Sequence, residues 1–230
     1  AGCGAIRPGG LCELVRLHSL DMGFAFDGDA DRCIAVDERG EVVNGDGILY
    51  LCAREMAERG ELGAGVVTTV LSNGGLLRAL ERMGVVCTRT QVGDKFVAGE
   101  MARRGALLGG EPSGHIIFRK HASTGDGILT ALKTAEIVAE KKCPLSVLLR
   151  GYSPLPQRAC NVAVGGGAAL VAGEGVQRAV REAERAGVRM VVRPSGTEEV
   201  VRVLAEGEEA AAEEAVRRVE RALRESAEAL

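Results

Sequence analysis

Apolar residues follow two different spacings along residues 11–139, and the change from one spacing to the other predicts alternating strands and helices. Short apolar runs predict strands, whereas apolar residues three and four apart predict amphipathic helices. In chain order the predicted elements are a helix at 11–20, strands at 22–26 and 33–36, a helix at 48–60, a strand at 66–71, a helix at 76–83, a strand at 85–90, a helix at 95–103, strands at 106–108 and 116–118, and a helix at 128–139 introduced by Thr124. This alternation is typical of βαβ units, so it predicts an α/β domain with a mixed, mostly parallel sheet.

Residues 152–156 interrupt this pattern, because Pro154 and Pro156 favour neither helix nor strand. The elements predicted beyond them are strands at 159–164, 189–192 and 200–204 and helices at 174–186 and 208–227. They predict a small C-terminal α+β domain, in which the glycines at 165–167 form a flexible loop. The chain is therefore predicted to have three parts, at 1–40, 41–152 and 153–230.

Composition argues against several classes of protein. The 230 residues carry a formal net charge of -3, no tryptophan and only 3% aromatic residues, which is unlike a basic, base-stacking surface for nucleic acid. No apolar run is long enough to span a membrane, and the first residues do not resemble a signal peptide. Seven cysteines without paired short spacing indicate reduced thiols in a cytoplasmic protein. No sequence pattern indicates the oligomeric state.

Three carboxylates, Asp27, Asp29 and Asp31, alternate directly after the predicted strand at 22–26. Their charges repel one another strongly at this spacing unless a cation neutralises them, and all-oxygen ligands with one open side suit Mg²⁺ that bridges to a phosphate. The sequence therefore predicts a magnesium site in a tight loop between two antiparallel strands. A solvated acidic turn is the simpler alternative.

Two other kinds of protein carry similar acidic patterns. In an EF-hand, Asp27, Asp29 and Asp31 would occupy the first, third and fifth positions. The sixth position, however, requires glycine where this chain has Arg32, and helices are required on both sides where strands are predicted. A haloacid-dehalogenase-like phosphatase uses an aspartate after a buried strand as its nucleophile, but its pattern has threonine or valine in place of Asp31. We rank the phosphatase second among enzymes.

A glycine-rich segment at 109–115 lies between two predicted strands. Its glycines allow a ligand to approach closely, and Glu111 and Ser113 offer an acceptor and a donor for two neighbouring sugar hydroxyls. His115 is predicted to donate a proton to a phosphate. A plain glycine turn with an exposed glutamate is the alternative.

A second polar segment, at 193–197, also lies between predicted strands. Its polar or flexible residues are Arg193, Ser195, Gly196 and Thr197. A guanidinium, two hydroxyls and accessible backbone N–H groups are what a phosphate dianion requires of a loop. Arg202, on the next strand, is predicted to point to the same place. The alternative is a polar hairpin.

These three segments, in this order and on successive α/β units, resemble the α-D-phosphohexomutase family. Two further stretches, QVGDKFV at 91–97 and TGDGI at 124–128, resemble one branch of that family. The resemblance extends over nearly the whole chain, and three motifs in the correct order make it specific.

The resemblance implies a four-domain enzyme that moves a phosphoryl group between the 6- and 1-positions of glucosamine phosphate through a bisphosphate intermediate, and so supplies a precursor of UDP-N-acetylglucosamine. Residues 1–40 would be the end of the second domain, 41–152 the third domain and 153–230 the fourth. The implied ligands of the Mg²⁺ cofactor are Asp27, Asp29 and Asp31. The implied catalytic residues are Arg32 and Lys95, and the implied phosphosugar-binding residues are Glu111, Ser113, His115, Arg193, Ser195, Gly196, Thr197 and Arg202.

This chain departs from the family pattern in two respects. Lys95 stands where the branch more often has arginine, which keeps the charge but loses the bidentate geometry. The catalytic phosphoserine of the family lies in a first domain, and no serine of this chain has the required loop. Because the chain also begins at Ala1 without a methionine, we expect a truncated protein that is inactive alone. The alternatives are a non-catalytic phosphosugar-binding module and a phosphomannomutase or phosphoglucomutase of the same family.

Overall fold

The computed structural model describes residues 3–196 and 198–228. The chain divides into two compact units, Ala1–Pro154 and Leu155–Leu230, and the division falls within the proline-containing stretch at 152–156. Each unit has an apolar core of its own.

The first unit begins with a helix and a small antiparallel sheet. The elements are α1 (Gly9–His18), β1 (Met22–Phe26), β2 (Cys33–Asp37) and β3 (Val42–Val43), with the strands in the order β1-β2-β3. The register pairs Phe24 with Ala35 and Phe26 with Cys33, so the residues between them form a closed loop at the strand ends. Because β2 is buried along its whole length, one side of this loop is anchored in the core.

A four-stranded sheet with helices follows in the same unit. Its elements are α2 (Gly45–Glu58), β4 (Val66–Thr69), α3 (Gly74–Arg82), β5 (Cys87–Thr90), α4 (Asp94–Arg104), β6 (Leu108–Gly110), β7 (Ile116–Phe118), α5 (Gly127–Lys141) and α6 (Leu145–Leu148). The strand order is β5-β4-β6-β7. The β4 strand is parallel to β5 and β6, and β7 is antiparallel to β6. The predicted α/β class with a mixed, mostly parallel sheet is confirmed.

The α2 helix lies at the centre of this unit. Its first nine residues, 45–53, are all buried. Its N-terminus is capped by the Asn44 side chain, which accepts hydrogen bonds from the backbone N–H groups of Asp46 and Gly47 at 3.1 and 3.2 Å. The buried Asp46 carboxylate accepts in turn from the backbone N–H of Asn73 at 2.8 Å, at the start of α3. These bonds fix the beginning of α2, which lies next to the 111–115 loop.

The described residues of the second unit form one antiparallel sheet and three helices. Its elements are β8 (Gln157–Ala163), α7 (Gly167–Ala172), α8 (Glu174–Arg185), β9 (Arg189–Pro194), β10 (Val200–Glu206) and α9 (Glu209–Glu228), and the strands lie in the order β8-β10-β9. Alternate residues of β10, Val201, Val203 and Ala205, are buried, and α8 and α9 complete the core through residues such as Val219 and Leu223. The predicted α+β class of this part is therefore confirmed.

Several predicted boundaries were wrong. Gly167 starts α7 and is not part of a flexible loop. The side chain that caps α5 belongs to Asp126, which accepts from the backbone N–H of Leu129 at 2.8 Å, and not to Thr124. The β6 strand lies two residues later than predicted and contains Gly109, because the space a side chain would need there is filled by the sulfur of Met101.

Among the described residues, none of the helices combines the length and the apolar character needed to cross a membrane. All seven cysteines are free thiols. Burial raises the pKa of both the Cys33 and the Cys52 thiols to about 12, so these two thiols are packed as small apolar groups.

Candidate functional site

The loop between β1 and β2, residues 27–32, is called the metal loop below. Its three carboxylates, Asp27, Asp29 and Asp31, each have an oxygen within 4.8 Å of the others. Ala30 adopts a left-handed conformation with φ of 58°, which is uncommon for a residue other than glycine. The backbone N–H of Arg32 closes the loop by donating to Asp27 Oδ1 at 3.2 Å. The loop therefore turns three alternating acids toward one place.

Arg32 partly balances the charge of the metal loop. Its Nε lies 3.4 Å from Asp27 Oδ2 and 3.7 Å from Asp31 Oδ1. The side chain is 44% exposed, so these ion pairs are screened by solvent. One half-exposed cation beside three carboxylates leaves the loop with a net negative charge.

The carboxylate of Asp31 has the properties expected of an oxygen ligand to a cation. Its Oδ1 is buried and accepts no hydrogen bond from the described residues. Burial raises the pKa of Asp31, and the neighbouring Asp27 raises it further, while the hydrogen bond from His115 acts in the opposite direction. A bound divalent cation would offset both the burial of the Asp31 carboxylate and its repulsion from Asp27. Three carboxylates without sulfur or nitrogen ligands suit a hard cation such as Mg²⁺, so the residues present fit the predicted metal.

The 111–115 loop connects β6 to β7. Glu111 Oε1 accepts a hydrogen bond from the backbone N–H of Gly93 at 3.1 Å. Gly93, with φ of 132°, is the N-cap residue of α4, so the Glu111 carboxylate lies at the positive end of that helix. Ser113 is exposed at the tip of the loop. The loop is thus attached at Glu111 and open at Ser113.

His115 is held by contacts within the protein on both sides of its ring. The ring is buried, with 4% exposure, and both of its nitrogens have partners within the protein. Nδ1 lies 2.9 Å from Asp31 Oδ2, and Nε2 accepts from the backbone N–H of Gly125 at 3.0 Å. The ring therefore holds a metal-loop carboxylate, and the donation of a proton from His115 to a bound phosphate stays a prediction.

Lys95 occupies the first turn of α4 and is exposed. Its ammonium lies 5.0 Å from the centroid of the Phe96 ring, at the distance of a cation–π contact. Since α4 begins at the residue bonded to Glu111, Lys95 and Glu111 are carried by neighbouring segments. Lys95 is thus a solvent-exposed cation at the start of α4.

Three glycines bring the backbones of these segments into contact, and they are called the glycine seam below. A Cβ at Gly45 would collide with the carbonyl oxygen of Glu111, and one at Gly114 with that of Cys33. A Cβ at Gly127 would lie 2.6 Å from the carbonyl oxygen of Arg32. Sequence reasoning assigned no function to Gly45 or Gly127. Gly127 was noted only as part of the TGDGI stretch, and Gly45 only precedes a predicted helix.

The 193–197 segment belongs to the second unit and is described separately. Arg193 on β9 and Arg202 on β10 are direct partners in the antiparallel register, so their side chains leave the same face of the sheet. Arg202 pairs with Glu198, with Nη2 2.8 Å from Oε2. The backbone N–H of Ser195 donates to the Val200 carbonyl at 2.8 Å, which closes the hairpin.

Two neighbouring guanidinium groups on one sheet face repel each other, and Glu198 offsets part of this charge through its bond to Arg202. Gly196 is exposed at the tip of the hairpin. Thr197, the fourth residue predicted for this segment, lies outside the described residues.

Within the first unit, direct contacts join the metal loop to His115 and, through the backbone, to the segments at 111–115 and 124–127. Glu111 and Lys95 are connected to this group by the start of α4. The residues predicted in the second unit, Arg193, Ser195 and Arg202, lie together around one hairpin.

Known proteins resemble this chain in both sequence and structure. Two models of the phosphoglucomutase/phosphomannomutase family match it, the alpha/beta/alpha domain III at residues 44–154 and the C-terminal domain at residues 159–223. The chain is 50% identical to the phosphoglucosamine mutase of Symbiobacterium thermophilum over 90% of its own length and 47% of that protein. It is also 50% identical to the phosphoglucosamine mutase of Rubrobacter xylanophilus over 95% of its length and 49% of that protein.

Among solved structures, the chain matches an N-acetylphosphoglucosamine mutase of Aspergillus fumigatus in complex with GlcNAc-6P and magnesium. The TM-score is 0.81 at 25% identity, over 99% of this chain and 53% of that one. A family protein from Burkholderia thailandensis gives a TM-score of 0.78 at 24% identity, which shows a shared fold.

The chain spans about half the length of the curated relatives it matches. The two family models together cover most of it, and the division into an α/β unit and a small C-terminal unit agrees with them. The chain belongs to the phosphoglucomutase/phosphomannomutase family.

Proposed function

We propose that this chain is part of a phosphoglucosamine mutase, an isomerase that interconverts glucosamine 6-phosphate and glucosamine 1-phosphate through a bisphosphate intermediate. Support comes from the two relatives at 50% identity, which carry that name, and from the metal loop that this family assignment requires. The whole protein would be a phosphoprotein, since the phosphoryl group would be carried by a serine outside this chain. It would act in the cytoplasm, in amino-sugar biosynthesis.

The observation that carries the proposal is the contact between the metal loop and the 111–115 loop. Asp31 bonds His115, and the backbone N–H of Cys33 donates to the Gly114 carbonyl at 3.0 Å. The metal loop, which would bind the cation that bridges to the phosphoryl group, is thereby fixed next to the 111–115 loop, whose side chains would bind the sugar. A metal-binding protein without a sugar substrate would not need this second loop beside the first.

Five residues of the first unit would stabilise the negative charge of the transferring phosphoryl group. Asp27, Asp29 and Asp31 would hold Mg²⁺, which supplies positive charge for the oxygens of a transferring phosphoryl group. Arg32 would stabilise the same negative charge from the side of the loop, and Lys95 would bring a further cation from the start of α4.

Sugar and phosphate recognition would rest on separate groups. Glu111, already held by Gly93, would accept a hydrogen bond from one sugar hydroxyl through its other oxygen, while Ser113 would reach a neighbouring hydroxyl. In the second unit, Arg193 with Ser195 and Gly196 would bind the phosphate that does not react, and Arg202 would support it.

A second candidate is a non-catalytic phosphosugar-binding module. Such a module would keep the metal loop, the 111–115 loop and the arginine pair but would perform no phosphoryl transfer.

An assay with reconstitution separates these candidates. The chain would be incubated with glucosamine 6-phosphate and Mg²⁺, alone and together with the part of the Symbiobacterium thermophilum relative that it does not match. We expect turnover to glucosamine 1-phosphate only in the mixture. Binding in both samples without turnover in either would favour the binding module, and release of inorganic phosphate by the chain alone would indicate a phosphatase. Glucose and mannose 6-phosphates, tested in the same mixture, would identify the preferred hexose.

A further inference from the structure

The segment at 124–127, called the α5 leader below, contacts the metal loop but has no role in the function proposed above. It ends at Gly127, the first residue of α5. Its one carboxylate, that of Asp126, caps the helix by accepting from the backbone N–H of Leu129 at 2.8 Å. Asp126 is thus engaged in the helix. Gly127 contacts the metal loop directly, whereas Gly125 bonds His115, which in turn bonds Asp31.

The first contact is between two backbones. The N–H of Gly127 donates to the carbonyl oxygen of Ala30 at 2.9 Å. Ala30 holds its left-handed conformation at a cost in free energy, so a bond that requires this conformation stabilises the shape of the loop. A Cβ at Gly127 would lie 2.7 Å from that oxygen and 2.6 Å from the carbonyl oxygen of Arg32. Because both are backbone atoms, a side chain at Gly127 would push the metal loop away.

The second contact determines which nitrogen of His115 carries the proton. The backbone N–H of Gly125 donates to Nε2 at 3.0 Å, and only an unprotonated nitrogen accepts a hydrogen bond. The proton of the neutral ring must therefore be on Nδ1. This Nδ1–H donates to Asp31 Oδ2 at 2.9 Å.

The tautomer in turn distinguishes the two oxygens of Asp31. Oδ2 is engaged by the ring, whereas Oδ1 is buried and accepts no hydrogen bond from the described residues. An aspartate in this state presents one oxygen to a cation and has its orientation fixed by the other. Outer partners of metal ligands commonly act in this way.

We propose that the α5 leader is the positioning device of the metal loop. Gly125 selects the Nδ1–H tautomer of His115, the ring makes Asp31 a ligand through Oδ1 alone, and Gly127 holds Ala30 in the conformation that the loop needs. His115 is accordingly a positioning residue. The identity of the cation, Mg²⁺, rests on the proposed function, whereas the tautomer and the loop contacts do not.

The tautomer is tested on the whole chain by ¹⁵N NMR of the neutral imidazoles in the absence of metal, with a His115 variant to assign the signals. We expect Nδ1 to be the protonated nitrogen and Nε2 to be the hydrogen-bond acceptor. A ring protonated on Nε2 would overturn the proposal.

Calorimetry with Mg²⁺ tests the effect of His115 on the affinity of the metal loop for the cation. We expect His115→Leu to lower the affinity by about 10- to 100-fold, the range seen when outer partners of metal ligands are removed. His115→Asn, which keeps an N–H near the position of Nδ1, should recover most of the loss. Equal affinities for His115→Leu and the parent chain, or no Mg²⁺ binding by the parent, would overturn the proposal.

Gly127→Ala tests the first contact, the bond from Gly127 to Ala30, without altering any side chain of the loop. It should weaken Mg²⁺ binding, while Gly99→Ala, where a Cβ meets no atom within 4 Å, should leave it unchanged. Equal affinity for both variants would remove Gly127 from the proposal. If all these results are as expected but the reconstituted protein turns over no sugar phosphate, the proposed function fails and the positioning device stands.

Discussion

Asp29 is the exposed member of the three metal-loop carboxylates, which makes it the most direct test of the site. We predict that Asp29→Asn weakens Mg²⁺ binding at least several-fold, because the substitution removes one charge from an all-oxygen site and keeps the shape of the side chain. Calorimetry measures the affinity, and thermal unfolding in a chelator measures the fold. The melting temperature should not change, since the side chain is at a strand end.

Asp21 provides the matched control for Asp29. It is also an exposed aspartate, placed before β1 and outside the loop. Asp21→Asn should therefore bind Mg²⁺ as the parent does. Unchanged affinity in Asp29→Asn would show that its carboxylate is no ligand.

Glu111 allows sugar recognition to be separated from phosphate recognition. We predict that Glu111→Gln weakens glucosamine 6-phosphate binding by about 1.5–3 kcal/mol, the usual contribution of a hydrogen bond to a charged group. Binding of inorganic phosphate, which has no sugar hydroxyls, should change little. Calorimetry with the two ligands tests this. If both ligands lose the same affinity, Glu111 acts through its bond to Gly93 at the start of α4 and not through the sugar.

At the scale of elements, the buried carboxylate of Glu55 on α2 forms ion pairs with two partly exposed cations, Arg59 at the end of α2 and Lys141 on α5. Glu55 Oε1 lies 2.9 Å from Arg59 Nε, and Glu55 Oε2 lies 2.9 Å from Lys141 Nζ. Burial alone would raise the pKa of Glu55, but the bonds from Lys141 and Arg59 outweigh it, so this pKa lies below its usual value of 4.5. A lowered carboxylate pKa means that these ion pairs stabilise the folded state above about pH 4.5 and stop doing so as the pH falls through the lower folded-state value.

We therefore predict that Glu55→Gln reduces the free energy of unfolding at neutral pH by about 1–2 kcal/mol, a value kept small by the partial exposure of both cations. The difference from the parent should shrink as the pH is lowered below 4.5. Urea unfolding at several pH values measures it, with the exposed Glu81→Gln as the control. A difference that stays constant with pH would mean that charge is not its origin.

The elements that were predicted correctly are those with a clear local pattern of apolar residues, either a continuous run or a regular spacing. The strands at 22–26 and 33–36 are continuous apolar runs, and they became β1 and β2 with the predicted antiparallel pairing. The β3 strand, with two residues, and α6, with four, are too short to show any period. The β6 strand was misplaced because glycine is a turn signal in sequence, whereas Gly109 is in this strand to make room for Met101.

The site was predictable only in part, for the same reason. The spacing of the metal-loop carboxylates is a local pattern, and so it was visible in the sequence. The bond from His115 to Asp31 joins residues 84 positions apart, and its direction depends on Gly125 in a third segment. No local pattern contains that information, and the histidine was therefore assigned to the substrate.

At the scale of the whole molecule, each unit has its own core, and Leu223 on α9 is fully buried in the second one. We predict that Leu223→Ala lowers the free energy of unfolding of this unit by about 2–5 kcal/mol through lost burial and a residual cavity. Hydrogen exchange of the backbone amides of β8, β9 and β10 measures the loss. Leu132→Ala, at a leucine that is 63% exposed, should have little effect on the amides of its own unit. Equal protection in the Leu223→Ala and parent chains would contradict the assignment of that core.

The glycine seam has a consequence for the order in which the parts of the chain fold. It joins segments far apart in the chain, as the 84-residue separation of His115 and Asp31 illustrates, so the entropy of closing a long loop must be overcome before it forms. The helices, whose contacts are local, can form earlier. Three carboxylates, whose charge Arg32 balances only in part, are then brought together only in the last stage of folding. If Mg²⁺ binds there, it recognises the finished fold and should slow unfolding while leaving the rate of folding unchanged.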